Sequence, residues 1–232
     1  MFGFFYDSYY WILVVPAMLL AAFAQMKVSS TFNRYSQVRS RSGYTGAQAA
    51  RDILDRNGLQ GVRIERVRGN LTDHYDPRSN VVRLSDSVYD SPSVAAIGVA
   101  AHECGHAVQH AVGYFPIKLR SAIIPVTNIG SKLSIPLLLI GLVVQVEPLI
   151  NLGILLFSTM ALFQLVTLPV EYNASNRALA TLDSTGMLSG DELQGSKKVL
   201  SAAALTYVAA LLVAVMQLLR LLLLFGGRRR DD

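Results

Sequence analysis

The sequence predicts a mainly α-helical membrane protein with about four transmembrane helices and a small α+β lobe. The chain of 232 residues is 52% hydrophobic and only 16% charged, whereas soluble domains carry about 25% charged residues. The charge is also uneven, because residues 27–120 hold 13 of the 21 Lys and Arg residues. We therefore expect one soluble lobe of about 90 residues between membrane segments. This composition excludes intrinsic disorder and a collagen-like protein.

Apolar stretches set the predicted division of the chain, because a helix needs about 20 apolar residues to cross a bilayer. The middle stretch is interrupted by Gln145-Val146-Glu147-Pro148, which predicts a tight turn between two spans of a helical hairpin. The predicted segments are a first transmembrane helix (1–26), the lobe (27–120), the hairpin (121–170), a loop or helix (171–198), and a last membrane helix with a basic tail (199–232).

Basic residues border the predicted spans and orient them. With four spans, most of these residues fall on one side of the membrane, which the positive-inside rule identifies as the cytoplasm. We therefore expect a multi-pass protein of the bacterial inner (plasma) membrane whose lobe and active site face the cytoplasm. The net charge of +5 is explained by anionic lipid headgroups, so we expect the lipid bilayer as a partner and no nucleic acid.

Within the lobe, the pattern predicts a helix, three short strands and a second helix. Thr45 and Gln48 form a capping box before the first helix, which ends at Asn57-Gly58. Strands are expected near 62–67, 70–75 and 80–85, the last of them at an edge of the sheet. Ser91-Pro92 is expected to start the second helix, with proline at its first position, and that helix runs to about residue 111.

The second predicted helix contains the chemical motif His102-Glu103-Cys104-Gly105-His106. Histidines four residues apart lie on the same helical face, so both imidazoles can bind one Zn²⁺ ion. Glu103 lies beside the first histidine and can act as the general base that takes a proton from a zinc-activated water. This is the HExxH pattern of zinc metallopeptidases. Cys104 points away from the histidine face and is expected to be a small buried residue.

A catalytic zinc needs a third protein ligand, and two residues are candidates. His110 shares the helical face of the motif, but two turns place its backbone about 12 Å from that of His102. Glu171, which follows Pro169 near the end of the third span, is the better candidate because a second helix can bring its carboxylate to the histidines. Ser175 lies on the face of Glu171 and can hydrogen-bond a ligand.

The segments HECGHAVQH and VEYNASNRAL resemble the YugP-type neutral zinc metallopeptidases, a family of bacterial membrane proteins. The likeness includes the SxxVYxSxSVAAIGVAAHE segment before the motif and AALTYVA in the last segment. The chain is more distantly similar to the HtpX-type peptidases, gluzincins with HExxH followed by ExxxD. The resemblance implies a zincin-like lobe with one Zn²⁺ per chain, His102, His106 and Glu171 as ligands, and Glu103 as catalytic base. At position 175 this chain has Ser where the HtpX pattern has Asp.

The predicted function is that of a membrane-bound zinc endopeptidase acting on a protein or peptide substrate, such as a membrane protein or an unfolded segment. His74 can help to bind substrate, and His110 or Tyr207 can stabilise the oxyanion. The strand at 80–85 can hold an extended substrate. The pattern gives no indication of the oligomeric state.

Two alternatives compete with this function. A site-2-type intramembrane protease would place the motif inside a transmembrane helix and take its third ligand, an aspartate, from a later span. No aspartate occurs between Asp90 and Asp183, which disfavours this alternative. A non-catalytic membrane scaffold with a structural metal site would have no need of a general base at position 103.

Overall fold

The computed structural model describes residues 7–226, and these residues confirm the predicted fold class. A π-helical turn, Tyr10–Val14, leads into the first helix. The elements then follow in this order: α1 (Val15–Ser36), α2 (Gly46–Arg56), β1 (Arg63–Val67), β2 (His74–Asp76), β3 (Val81–Ser85), α3 (Val94–Ala111), α4 (Phe115–Val143), α5 (Glu147–Ser184) and α6 (Gly190–Phe225).

Four helices are long and apolar enough to cross a membrane, as judged by length and composition. They are Tyr10–Ser36, Phe115–Val143, Glu147–Ser184 and Gly190–Phe225. The predicted hairpin turn lies where α4 gives way to α5, and Gln145 adopts a positive φ of 57° there. The helices extend well beyond the predicted apolar spans. In particular, α5 continues through Pro169, so Glu171 lies inside a helix and not at the start of a new one.

The chain divides into two compact units. Among the described residues, the apolar unit comprises residues 7–24, 119–168 and 206–226, and the lobe comprises residues 25–118 and 169–205. The lobe therefore contains the ends of long helices as well as the segment between the first two spans. A sequence division at apolar boundaries misses this, because one helix can be apolar at one end and polar at the other.

The lobe has a three-stranded mixed sheet in the order β1-β3-β2. Strand β3 pairs in parallel with β1 and antiparallel with β2. The expected edge position of the 80–85 strand is therefore wrong, since β3 is the central strand. Its residues Val81, Val82, Leu84 and Ser85 are buried, as expected of a strand covered on both faces.

Hydrophobic packing joins α2, the sheet and α3 in one core. Ile53 and Leu54 of α2, Leu84 of β3 and Ile97 of α3 are at most 2% exposed. The predicted capping box on α2 is confirmed, because the Thr45 side chain accepts from the Gln48 amide and the Gln48 side chain accepts from the Thr45 amide. The start of α3 differs from the prediction. Its N-cap is Ser93, whose hydroxyl accepts from the Ala96 amide, and Pro92 precedes the helix.

Candidate metal centre

Small residues allow α3 to pack closely against the lobe ends of α5 and α6. A Cβ atom at Gly105 would lie only 2.8 Å from the carbonyl oxygen of Ala174 on α5, so the two backbones are in contact there. At Gly98, an added Cβ would meet the Ser196 hydroxyl of α6. The motif helix thus contacts two neighbours at glycine positions, and at Gly105 the facing atoms are backbone and cannot rotate away.

This packing brings together His102, His106 and Glu171. The Nε2 atoms of His102 and His106 lie 3.3 and 3.6 Å from the Oε2 atom of Glu171. The two imidazole rings are 4.7 Å apart and nearly perpendicular. The candidate ligand atoms all lie within 4.8 Å of one another, so they face one common point. Glu171 lies across from the motif because α3 and α5 pack together at Gly105 and Ala174.

A chain of hydrogen bonds fixes which nitrogen of His106 faces that point. The Nε2 atom of Gln109 donates to the carbonyl oxygen of Val170 at 2.8 Å, and a carbonyl can only accept. The Oε1 atom of Gln109 therefore faces His106 Nδ1, 3.0 Å away, and Nδ1 must carry the hydrogen. The lone pair of His106 is consequently on Nε2, which is the form that binds a metal.

The imidazole of His102 is also held by a hydrogen bond, in this case from a residue of α5. Its Nδ1 atom lies 3.1 Å from the Ser175 hydroxyl, and this contact leaves Nε2 directed at Glu171. The hydrogen bond that the sequence suggested for Ser175 is therefore present in the structure. A serine hydroxyl can take the place of the aspartate found in the HtpX pattern, although it brings no negative charge.

The electrostatics of the cluster favour a cation. Burial by itself lowers the pKa of His106, but the Glu171 and Glu103 carboxylates outweigh this effect and raise the pKa above its ordinary value. A positive charge is thus stabilised where the three side chains meet. Two imidazole nitrogens and one carboxylate oxygen form a donor set that catalytic zinc sites use, with the fourth position open. The residues present therefore fit a zinc ion.

Glu103 lies next in sequence to His102 and is 8% exposed. Its carboxylate is near Asp73, and burial together with this negative charge raises the pKa of Asp73. Asp73 accepts hydrogen bonds from the Ser85 amide and hydroxyl at 2.7 and 2.9 Å. The candidate general base is thus held in a largely enclosed part of the lobe.

The remaining candidates lie in different places. His110 packs against the Tyr75 ring with centroids 5.5 Å apart, and it is outside the three-residue cluster found among residues 7–226. His74 is exposed on β2 and contacts the Thr72 carbonyl at 2.8 Å. Tyr207 lies on α6 in the apolar unit. Roles for these three residues in substrate binding or oxyanion stabilisation stay predictions.

Cys104 is fully buried, and its thiol lies 3.5 Å from the Ala50 carbonyl on α2. Burial and the nearby Glu103 charge raise the pKa of Cys104 well above its ordinary value. The side chain is therefore a neutral thiol that faces the hydrophobic core, as the helical spacing predicts. It has neither the direction nor the charge of a zinc ligand.

Sequence reasoning missed Gln109 and Asn173. Gln109 is fully buried, and its amide bridges His106 to the α5 residues Val170 and Asn173, the latter at 3.0 Å. One signal was available, because Gln109 lies three residues after the second histidine and therefore on a neighbouring helical position. Its partners on α5 could not be inferred without the packing of the two helices.

Known proteins resemble this chain over most of its length. Residues 10–226 match the family model described as "Putative neutral zinc metallopeptidase". The chain is 53% identical over 197 residues to the "Putative membrane protease YugP" of Bacillus subtilis (strain 168), which covers 85% of this chain and 88% of that protein. No solved structure matches the chain. These matches confirm the resemblance noted in the sequence, and the chain belongs to this family of neutral zinc metallopeptidases.

Proposed function

We propose that the protein is a membrane-bound zinc endopeptidase in which His102, His106 and Glu171 hold the metal and Glu103 is the general base. The convergence of two imidazole Nε2 atoms on the Glu171 Oε2 atom, at 3.3 and 3.6 Å, carries this proposal. When bound, the zinc ion supplies Lewis-acid polarisation of the scissile carbonyl and lowers the pKa of water.

Residues of this chain have separate roles in the proposed hydrolysis. The Glu103 carboxylate takes a proton from the attacking water and later passes it to the amine that leaves. Ser175 and Gln109 hold the imidazoles so that their Nε2 lone pairs stay directed at one point. The rigid packing at Gly105 keeps the two ligand-bearing helices at a fixed separation.

The proposed substrates are membrane proteins or unfolded segments near the bilayer. The lobe is continuous with four helices that have the length and composition of membrane spans, so its substrates must come close to the membrane. The side chains of His102 and His106 are only 14% and 12% exposed. A site this enclosed favours an extended chain over a folded surface. We further propose that the lobe faces the cytoplasm of a bacterium, on the basis of the basic residues that border the spans.

The motif helix argues against an intramembrane site-2-type mechanism. Helix α3 is not among the four helices of residues 7–226 that qualify as membrane spans. It packs instead on α2 and the sheet, in the core of the lobe. The carboxylate near the histidines is also a glutamate and not an aspartate.

The test compares three purified proteins in detergent on an unfolded membrane-protein reporter: the wild type, Glu103→Gln and Asp52→Asn. Asp52 is a matched control, since it is a lobe carboxylate that pairs with Arg56 on the surface of α2. We expect cleavage by the wild type and the control, and loss of cleavage in Glu103→Gln with equal zinc content. Cleavage by Glu103→Gln at the wild-type rate would contradict the assigned base. Absence of cleavage in all three, with zinc bound, would instead favour the non-catalytic scaffold.

A further inference from the structure

A cleft with several basic side chains lies in the lobe between α1 and α6, and it shares no residue with the metal cluster. Its volume is about 460 Å³, which is within the usual range for ligand pockets. The α1 wall includes Lys27, Thr31 and Arg34, and the α6 wall includes Lys197, Lys198 and Ser201. We call this feature the basic cleft.

Helical spacing explains why these side chains meet. Residues 27, 31 and 34 are separated by four and three positions, and residues 197 and 198 lie four and three positions before residue 201, so each set occupies one helical face. The two helices approach closely at Gly195, where a Cβ atom would lie 2.7 Å from the Tyr35 ring. Tyr35 also lines the cleft.

The charge of the basic cleft is of one sign. Of the described residues that line it, four are cationic and none is acidic. Within residues 7–226, Arg34, Lys197 and Lys198 form no ion pair with a carboxylate. Cations gathered around one cleft create a positive potential there, which attracts an anion.

The cleft is also located at the ends of two apolar helical runs. Lys27 is the first charged residue after the apolar run of α1, and Lys198 is the last before the apolar run of α6 that extends to Arg220. Both helices qualify as membrane spans. Insertion of these two apolar runs into a bilayer would put the charged walls at the level of lipid headgroups, where phosphate groups are concentrated.

We propose that the basic cleft binds the headgroup of an anionic phospholipid, with its phosphate between the α1 and α6 cations and the hydroxyls of Thr31 and Ser201 as additional donors. Inorganic phosphate shares this chemistry, but it lacks the acyl chains that the adjoining apolar helices can contact. The proposal concerns a site separate from the metal cluster and does not depend on peptidase activity.

Lipid binding can be measured by native mass spectrometry of the full chain in detergent. The probes are dioleoylphosphatidylglycerol, dioleoylphosphatidylcholine with the same acyl chains, and inorganic phosphate alone. We expect the wild type to bind phosphatidylglycerol in preference to the other two. Each cation near an anionic lipid changes affinity about fivefold, so Lys197→Gln/Lys198→Gln should weaken phosphatidylglycerol binding by about 25-fold.

Two further variants distinguish a specific lipid site in the cleft from electrostatic attraction by the net charge of the lobe. Arg68→Gln/Arg78→Gln removes the same charge from the strand region of the lobe and should leave binding within about twofold of the wild type. Ser201→Trp keeps the charge but fills the cleft at an exposed position, and it should also reduce binding. Melting temperature and zinc content equal to those of the wild type verify that each variant is folded.

Equal losses in the cleft and control double variants would overturn the proposal, because the effect would then follow net charge alone. Unchanged binding in Ser201→Trp would overturn it as well. Inorganic phosphate or phosphatidylcholine binding as tightly as phosphatidylglycerol would show that the cleft does not select an anionic lipid. None of these readouts uses proteolysis, so a failure here leaves the proposed peptidase function untouched.

Discussion

The contact between α3 and α5 at Gly105 makes a quantitative prediction for Gly105→Ala. The new Cβ atom would lie 2.8 Å from the Ala174 carbonyl oxygen and 3.2 Å from its Cα atom. Both atoms are backbone, so no side chain can rotate away, and the helices must separate by roughly half an ångström to restore ordinary contact. Overpacking of this kind costs about 1–3 kcal/mol. Helix propensity acts in the opposite direction, because alanine is favoured over glycine by about 1 kcal/mol.

Separating the two helices also moves the metal ligands apart, because His102 and His106 lie on α3 and Glu171 lies on α5. Zinc–ligand distances are held to within about 0.2 Å, and the expected displacement is larger than that. We therefore expect Gly105→Ala to lose at least tenfold in zinc affinity, comparable to the loss of a residue that orients a ligand.

The assay is a competition titration with a chelator in detergent, accompanied by thermal unfolding of the metal-free protein. Gly61→Ala is the matched control, since Gly61 has open space around the position of a new Cβ atom. The control should bind zinc as the wild type does. Wild-type zinc affinity in Gly105→Ala, with an unchanged or higher melting temperature, would refute the account of this helix contact.

Three further predictions concern supporting residues. Ser175→Ala removes the hydroxyl that contacts the first motif histidine, so zinc affinity should fall about 10–100-fold; an unchanged affinity in the chelator titration would contradict this role. Burial raises the pKa of Asp73, so the folded protein holds the Asp73 proton more tightly than the unfolded chain does. The contribution of Asp73 to stability is therefore complete at low pH and is lost as the pH rises through the folded-state pKa. An asparagine at position 73 can accept from the Ser85 amide and donate to the Ser85 hydroxyl oxygen, and it does not titrate. The stability of Asp73→Asn relative to the wild type should therefore increase with pH in thermal unfolding, and a decrease would contradict the sign. In the apolar unit, Arg220 pairs with Asp7 at 2.6 Å and is 3% exposed. Asp7→Asn should therefore destabilise the protein by about 3–5 kcal/mol. A loss below about 1 kcal/mol in unfolding titrations would argue against a buried pair.

The sequence was most informative where the pattern was local. The capping box at Thr45 and Gln48 and the turn at Gln145 depend on residues a few positions apart. The position of His102 and His106 on one face of α3 follows from helix geometry alone. These features could be predicted because the interactions that produce them lie within one or two helical turns.

Features that depend on distant segments were harder to predict. The central position of β3 depends on its pairing with β1 and β2, and a last strand in sequence is not always an edge strand in space. Proline at position 169 suggested a helix boundary, but α5 continues through it. The contribution of Gln109 depends on the approach of α5, because its partners Val170 and Asn173 lie more than 60 positions away.

The most direct test of the central claim is the zinc affinity of the wild type, Glu171→Gln and Glu103→Gln, measured on the purified full chain by metal analysis and chelator competition. If His102, His106 and Glu171 hold the ion, the wild type and Glu103→Gln bind zinc with equal affinity, and Glu171→Gln binds it at least tenfold more weakly. Equal affinity in the wild type and Glu171→Gln would contradict the proposed metal centre.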